Sequence, residues 1–140
     1  MNVEPYVFFD GKCEEAMEFY KGAVGARVEA VLRFKEHPDA GKPGTIPPGS
    51  ENKVMHALFK IGDTKIMASD GQCQGKPSFQ GFALTINAAN DAEAEKLFGA
   101  LGKGGQVTMP LTETFFATRF GMVADKFGVN WMVLASKEMG

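Results

Sequence analysis

The segments CEEAMEFYKGAV, residues 13 to 24, and DAEAEKLFGAL, residues 91 to 101, decide the fold because both predict a helix with the same apolar stripe. The stripe of the first helix is Ala16, Phe19, Tyr20 and Ala23. The stripe of the second is Ala94, Leu97, Phe98 and Leu101. The spacing i, i+3, i+4, i+7 is typical of one buried helix face. Its recurrence at one constant offset indicates an internal duplication.

Segments with strand character surround each helix in the same order. The strands predicted around the first helix are Tyr6 to Phe9, Arg27 to Phe34, Val54 to Ile61 and Thr64 to Ser69. Those around the second are Phe82 to Ile86, Gln106 to Leu111, Phe116 to Ala124 and Val129 to Ala135. The pattern predicts an α+β fold of two βαβββ modules, residues 1–70 and 79–140, joined by a linker at 71–78. One helix covers only one face of a four-stranded sheet, so we expect paired sheets that enclose a cavity or a core.

The segment from Lys35 to Asn52 interrupts the first module. It contains four of the seven prolines and three glycines, which excludes a regular helix or a central strand. An irregular insert of this length is often a lid or a binding loop. A mobile surface loop without a role is an equal alternative.

Composition and charge exclude several classes of protein. The net charge is −2 and there is no basic run, so we predict no nucleic-acid partner. No apolar stretch approaches the length of a membrane span, so we predict no membrane partner. The N-terminal residues lack the pattern of a signal peptide, which favours a cytoplasmic location. Cys13 and Cys73 form no CxxC motif, and free thiols are expected.

Three stretches strongly resemble the PhnB-like proteins, a branch of the vicinal-oxygen-chelate superfamily that includes glyoxalases and bleomycin-resistance proteins. They are PYVFFDGKCEEAMEFY at residues 5–20, KVMHALFKIGDTKIMASDG at 53–71 and ETFFATRFGMVADKFGVNWMVL at 113–134. The resemblance implies a glyoxalase-like fold of curved mixed sheets around a cavity, and a homodimer. Some relatives carry the label demethylubiquinone methyltransferase, but this chain lacks a strand–GxGxxG–helix opening, and we do not expect a nucleotide-binding fold.

The resemblance also implies where a metal would be bound. The superfamily's metalloenzymes use His and Glu ligands at positions that correspond here to Pro5, Met67, Gly81 and Met132, with an uncertainty of one residue at Gly81. None of these side chains is a ligand that Zn, Mn, Ni or Fe favours. We therefore predict no metal at this site and no cofactor.

Three polar residues are candidates for catalysis. His56 lies within a predicted strand and could act as a general base, although a histidine hydrogen-bonded across the sheet is the favoured alternative. Arg119 lies among aromatic residues, where it could clamp an anionic group or pair with Glu113 or Asp125. Glu113 is either that partner or an acid of the cavity.

A further set of residues is predicted to bind a partly apolar ligand, with core packing as the alternative. These residues are Tyr6, Met67, Arg119, Met122, Trp131 and Met132. The sequence thus leaves three functions open. The first is metal-independent binding of a small molecule, the second is an enzyme that uses His56, Glu113 and Arg119, and the third is a protein-interaction module with a closed core.

Overall fold

The structure, a computed structural model, describes residues 1 to 137. Its internal contacts divide the chain into two compact units, Met1–Pro77 and a second unit that begins at Ser78. Neither described helix combines the length and the hydropathy that a membrane span requires.

The first unit is a four-stranded sheet with one helix. Its elements are β1 (Tyr6–Phe8), α1 (Cys13–Val24), β2 (Arg27–Arg33), β3 (Val54–Ile61) and β4 (Thr64–Ser69). The strand order is β1-β4-β3-β2. Strand β1 runs parallel to β4, whereas the other neighbours are antiparallel.

The second unit repeats this arrangement. Its elements are β5 (Leu84–Asn87), α2 (Asp91–Leu101), β6 (Gln106–Thr112), β7 (Ala117–Ala124) and β8 (Asn130–Ser136). The strand order is β5-β8-β7-β6, with β5 parallel to β8. The predicted α+β fold with two βαβββ modules is confirmed, and both helices have the predicted bounds.

Alternation along the strands gives each sheet one face that packs on its helix. In the first unit this face contains Ala57, Phe59, Ile66 and Ala68, all buried. Tyr20 of α1 packs against Phe59, with ring centroids 6.0 Å apart. Burying a side chain of this size stabilises the fold by about 1.5–3 kcal/mol, so these contacts fix α1 on the sheet.

In the second unit the helix-covered face contains Val123, Trp131, Val133 and Ala135. Gly121 lies where the Phe98 ring of α2 packs against the sheet. A β-carbon at this position would lie 2.7 Å from the ring of Phe98 and 3.0 Å from the Cα atom of Leu111. The sheet therefore accepts only glycine where the helix crosses it.

The expected linker is hydrogen-bonded to the first unit over part of its length. The Asp10 carboxylate accepts hydrogen bonds from the backbone N–H groups of Gln74 and Lys76, both at 2.7 Å. Residues 74–76 are thus held against the turn between β1 and α1.

The proline-rich segment 35–52 is anchored at its base. The backbone N–H of Phe34 donates to Lys53 at 3.1 Å, and that of Lys35 donates to Glu51 at 3.0 Å. Ser50 is buried, and its hydroxyl donates to the carbonyl of Pro47. The ends of the loop therefore continue the β2–β3 hairpin, and a role as a lid stays a prediction.

Candidate functional site

The sheet face opposite α1 carries a cluster of aromatic, apolar and hydrogen-bonding side chains, which we call the first open face. It is formed by Tyr6, Phe8, His56, Leu58 and Met67. Tyr6 and Leu58 are the two cross-strand partners of Met67, so these three side chains project from the same side. Phe8 is the most exposed member, at 58%. The others are half-buried.

Tyr6 and His56 meet on this face. The Tyr6 hydroxyl and Nδ1 of His56 are 3.1 Å apart, at hydrogen-bond distance. The two rings are tilted by 36° with centroids 5.7 Å apart, and the Tyr6 ring lies 4.7 Å from that of Phe8. Because β1 and β3 flank β4 in the sheet, this bond spans the intervening strand.

A small residue on β4 makes room for this bond. Ala57 pairs with Ala68, so the antiparallel register places Ser69 opposite His56, and Ser69 is also the partner of Phe8. Ser69 is buried, and its hydroxyl accepts a hydrogen bond from the Gly71 N–H at 3.2 Å. Its short side chain leaves the space above β4 to Tyr6 and His56.

Methionines occupy the corresponding face of the second sheet, which we call the second open face. Met132 pairs with Met122, and Met122 pairs with Met109 on the edge strand β6. Phe120 pairs with Leu134 two residues along the same strands. Met67 and Met132 hold equivalent positions, because each lies on the central strand that pairs with the parallel first strand of its unit.

Trp131 does not belong to this face, which corrects its assignment as a ligand-binding residue. It is only 2% exposed, and its indole N–H donates to the Asp125 carboxylate at 2.9 Å. Side chains alternate along a strand, so Trp131 and Met132 point to opposite sides of β8, and the indole lies in the core beside α2.

Arg119 also lies on the helix-covered side of its sheet. Its guanidinium pairs with Asp91 at 3.5 Å and with Glu95 at 3.2 Å, both on α2. It also donates to the backbone carbonyl of Thr118 at 2.7 Å. The acids that pair with Arg119 are thus Asp91 and Glu95 of α2, and not Glu113 or Asp125, which the sequence left open as partners.

Glu113 and Asp125 have separate roles. Glu113 pairs with Lys137 at 3.4 Å, and its side chain is 66% exposed. Asp125 is buried and accepts hydrogen bonds from the backbone N–H groups of Phe127 and Val129 as well as from the indole N–H of Trp131. It therefore shapes the turn between β7 and β8.

The environment of Cys13 argues against a reactive thiol at the start of α1. The residue is fully buried. Burial, followed by the nearby charges of Asp70 and Glu14, raises the pKa of the Cys13 thiol to about 12. The attacking form of cysteine is the thiolate, so this residue is a packing element.

The residues at the superfamily's metal-ligand positions do not fit a divalent metal ion. Met67 and Met132 are thioethers, and Pro5 has no donor side chain. Strand β5 begins at Leu84, and Thr85 pairs with Met132 as Tyr6 pairs with Met67. The equivalent of Pro5 is therefore Leu84, not Gly81, because an irregular segment precedes β5. Among residues 1 to 137, no three His, Cys, Asp or Glu side chains are close enough to hold a metal.

One family model and one related protein match nearly the whole chain. A family model described as 3-demethylubiquinone-9 3-methyltransferase matches residues 1–134. Protein YjdN of Escherichia coli K12 is 34% identical over 143 residues, which cover 99% of this chain and 97% of YjdN.

Solved structures agree. Protein PA1353 from Pseudomonas aeruginosa is 37% identical with a TM-score of 0.84, covering 99% of each chain. A PhnB protein from Bacillus cereus, described as a putative 3-demethylubiquinone-9 3-methyltransferase, is 26% identical with a TM-score of 0.79, covering 97% of this chain and 100% of that one. The fosfomycin resistance protein FosX from Mesorhizobium loti, 15% identical with a TM-score of 0.58 over 97% of this chain and 92% of its own, shares the fold alone.

The two βαβββ units have the glyoxalase-like fold, which they share with a glyoxalase-related enzyme from Fulvimarina pelagi that is 16% identical with a TM-score of 0.58 over 97% of this chain and 88% of its own. Among proteins of this fold, the chain belongs to the PhnB-like family, whose model is described as 3-demethylubiquinone-9 3-methyltransferase.

Proposed function

We propose that this protein binds a small, partly apolar molecule, and that it does so without a metal ion. The observation that carries the proposal is the presence of Met67 and Met132 at the two equivalent positions where the superfamily's metalloenzymes have carboxylates. A thioether is apolar and polarisable, so it supports contact with an apolar ligand far better than coordination of a hard or borderline cation.

The composition of the open faces supports the same function. Met109, Met122 and Met132 form a row across three strands of the second sheet. Methionine side chains adapt their shape to different apolar surfaces, which is why they are common at binding surfaces that accept varied partners. We infer that the second open face contacts an apolar ligand through such side chains.

An enzyme that uses His56, Glu113 and Arg119 has less support. Arg119 is paired with two acids of α2, and Glu113 is paired with Lys137. Charges already neutralised by neighbours of the same unit are poor candidates for clamping a substrate. We do not propose methyl transfer, because the described sheets lack the doubly wound parallel arrangement of a nucleotide-binding fold. Each of them has a single parallel pair of strands.

The test is a screen of melting temperatures with a small-molecule library and, separately, with Mn, Ni, Zn and Fe ions. A compound that binds only the native state raises the melting temperature, by a free energy of about 2.7 kcal/mol at a hundred times its Kd. We expect stabilising compounds and no stabilisation by stoichiometric metal. Stoichiometric stabilisation by one of these ions would contradict the proposal.

Variants then locate the site. Met67→Gln and Met132→Gln keep the side-chain length but add a polar amide, so both should weaken binding of an apolar compound. Lys21→Gln is the control, because Lys21 lies on the exposed side of α1 and pairs with Glu18 of the same helix. If Met67→Gln or Met132→Gln binds the compound as tightly as Lys21→Gln does, the open face that carries the substituted methionine does not bind it.

A further inference from the structure

We propose that Nε2 of His56, oriented by Tyr6, is the polar anchor for the hydroxyl group of an aromatic ligand on the first open face. This inference rests on the proposed function and adds the chemical class of the ligand.

The hydrogen bond to Tyr6 leaves one ring nitrogen of His56 available. Tyr6 occupies Nδ1 at 3.1 Å. Among residues 1 to 137, no group forms a hydrogen bond with Nε2 of this ring. Tyr6 therefore fixes the Nδ1 edge of the imidazole, and the Nε2 edge can bind a ligand.

A hydroxyl group is the ligand group that matches this nitrogen in either tautomer. If the Tyr6 O–H donates to Nδ1, the neutral ring carries its proton on Nε2 and needs an acceptor. If Nδ1–H donates to the Tyr6 oxygen, Nε2 is unprotonated and needs a donor. A hydroxyl can do both, whereas an ether or a carbonyl oxygen can only accept.

The surroundings of the anchor favour a flat aromatic body. The rings of Phe8 and Tyr6 lie 4.7 Å apart and continue from the His56 ring as a row of three. The Met67 thioether lies beside Tyr6 on the same face, and Leu58 lies on the other side of Met67. Aromatic rings gain from contact with other rings and with thioether sulfur beyond the area that they bury.

The duplicated sheet provides an internal comparison. Thr85 is the equivalent of Tyr6, since Thr85 pairs with Met132 as Tyr6 pairs with Met67. Met122 pairs with Met132 as Leu58 pairs with Met67, so Phe120, two residues before Met122, is the equivalent of His56. The same scaffold is therefore built without a tyrosine–histidine bond in the second unit. The fold does not require this bond, which favours a role in binding.

The experiment compares 4-nitrophenol with 4-nitroanisole, which has the same ring but a methylated hydroxyl. Side-chain ¹⁵N resonances of the two histidines report the binding site, and His37, whose Nδ1 accepts a hydrogen bond from the Asp39 N–H at 2.9 Å, is the internal reference. We expect 4-nitrophenol to shift the Nε2 resonance of His56 and not that of His37. We expect 4-nitroanisole to bind at least tenfold more weakly.

Variants separate the anchor from its positioning residue. His56→Gln should abolish the preference for 4-nitrophenol over 4-nitroanisole. Tyr6→Phe should reduce that preference without abolishing it. It should also shift the Nδ1 resonance of His56 in the free protein, a change that a purely structural role of the phenol ring would not cause. Thr85→Val, which removes the hydroxyl at the equivalent position of the second sheet, should leave the preference for 4-nitrophenol over 4-nitroanisole unchanged.

The inference is overturned if 4-nitrophenol does not shift His56, if both compounds bind equally, or if Tyr6→Phe and His56→Gln behave like Thr85→Val. If a variant fails to fold, binding of the two compounds to the unmodified protein still tests the anchor. A compound from the melting-temperature screen that binds without affecting His56 would refute this anchor while leaving the proposed function intact.

Discussion

A buried carboxylate joins three parts of the first unit. Asp70, which is 1% exposed, accepts hydrogen bonds from the backbone N–H groups of Gly11, Cys13 and Val54 at 2.8 to 2.9 Å. Its own N–H donates to the Val54 carbonyl. A hydrogen bond to a charged acceptor is stronger than one between two neutral groups. A buried N–H group that loses its acceptor lowers the free energy of unfolding. Asp70 therefore connects the start of α1 and the start of β3 to the end of β4.

Replacing Asp70 by Asn should lower the free energy of unfolding by about 3 kcal/mol, because the amide places a donor next to donors and removes the charge. Urea denaturation measures the change. Asp63→Asn, in the exposed turn between β3 and β4, is the control and should have almost no effect. Equal stability of the two variants would contradict the role of Asp70.

The two thiols should differ in reactivity. With the pKa of Cys13 raised to about 12 by burial and by Asp70, almost no thiolate forms at pH 8. Cys73 is only partly buried. A disulfide-exchange reagent should therefore modify one thiol in the native protein and two in denaturant, and Cys73→Ser should leave no reactive thiol in the native state. Equal rates for both native thiols would show that Cys13 is accessible.

At the scale of elements, the helices follow from local sequence and the site does not. The stripes on α1 and α2 predicted both helices with their observed bounds, because the period of a helix is a local property. The bond between Tyr6 and His56 joins residues 50 positions apart and depends on the strand order β1-β4-β3. Proximity along the chain suggests Glu113 and Asp125 as partners of Arg119, whereas its actual partners on α2 lie 24 and 28 residues away. The sequence alone is enough to predict that Trp131 and Met132 point to opposite faces of the sheet, because adjacent residues on a strand alternate between the two faces.

Gly121 tests the contact between α2 and its sheet. Gly121→Ala places a methyl group 2.7 Å from the Phe98 ring, so we expect a loss of about 1–3 kcal/mol from overpacking. Gly99→Ala, within α2 and facing open space, should raise stability by about 0.5–1 kcal/mol through helix propensity. Thermal or urea unfolding measures both changes, and the account of the interface is wrong if they have the same sign.

Arg119 distinguishes a structural pair from a ligand clamp. Its partners on α2 are partly exposed, so Arg119→Ala should lower the unfolding free energy by no more than about 1 kcal/mol. The affinity for any compound found in the melting-temperature screen should not change. An affinity lost while the fold is retained would restore Arg119 to the binding site.

At the scale of the whole molecule, the exposed apolar residues of the second unit support a homodimer. Phe115 is 91% exposed and Phe116 is 45% exposed, and their ring centroids lie 5.2 Å apart. Clustered apolar exposure of this kind is typical of interaction surfaces. We expect light scattering to give twice the chain mass of 15.1 kDa, and Phe115→Ser together with Phe116→Ser to shift the protein toward the monomer. A monomer for the unmodified chain at micromolar concentration would contradict this expectation.

The central claim, that a small molecule binds without a metal ion, is tested most directly by measuring one compound under two conditions. The rise in melting temperature caused by the best stabilising compound is recorded in excess EDTA and again after addition of Mn, Ni, Zn or Fe ions. Because thioethers replace carboxylates at Met67 and Met132, we predict the same rise in every buffer. A rise that vanishes in EDTA and returns with one of these ions would contradict the account.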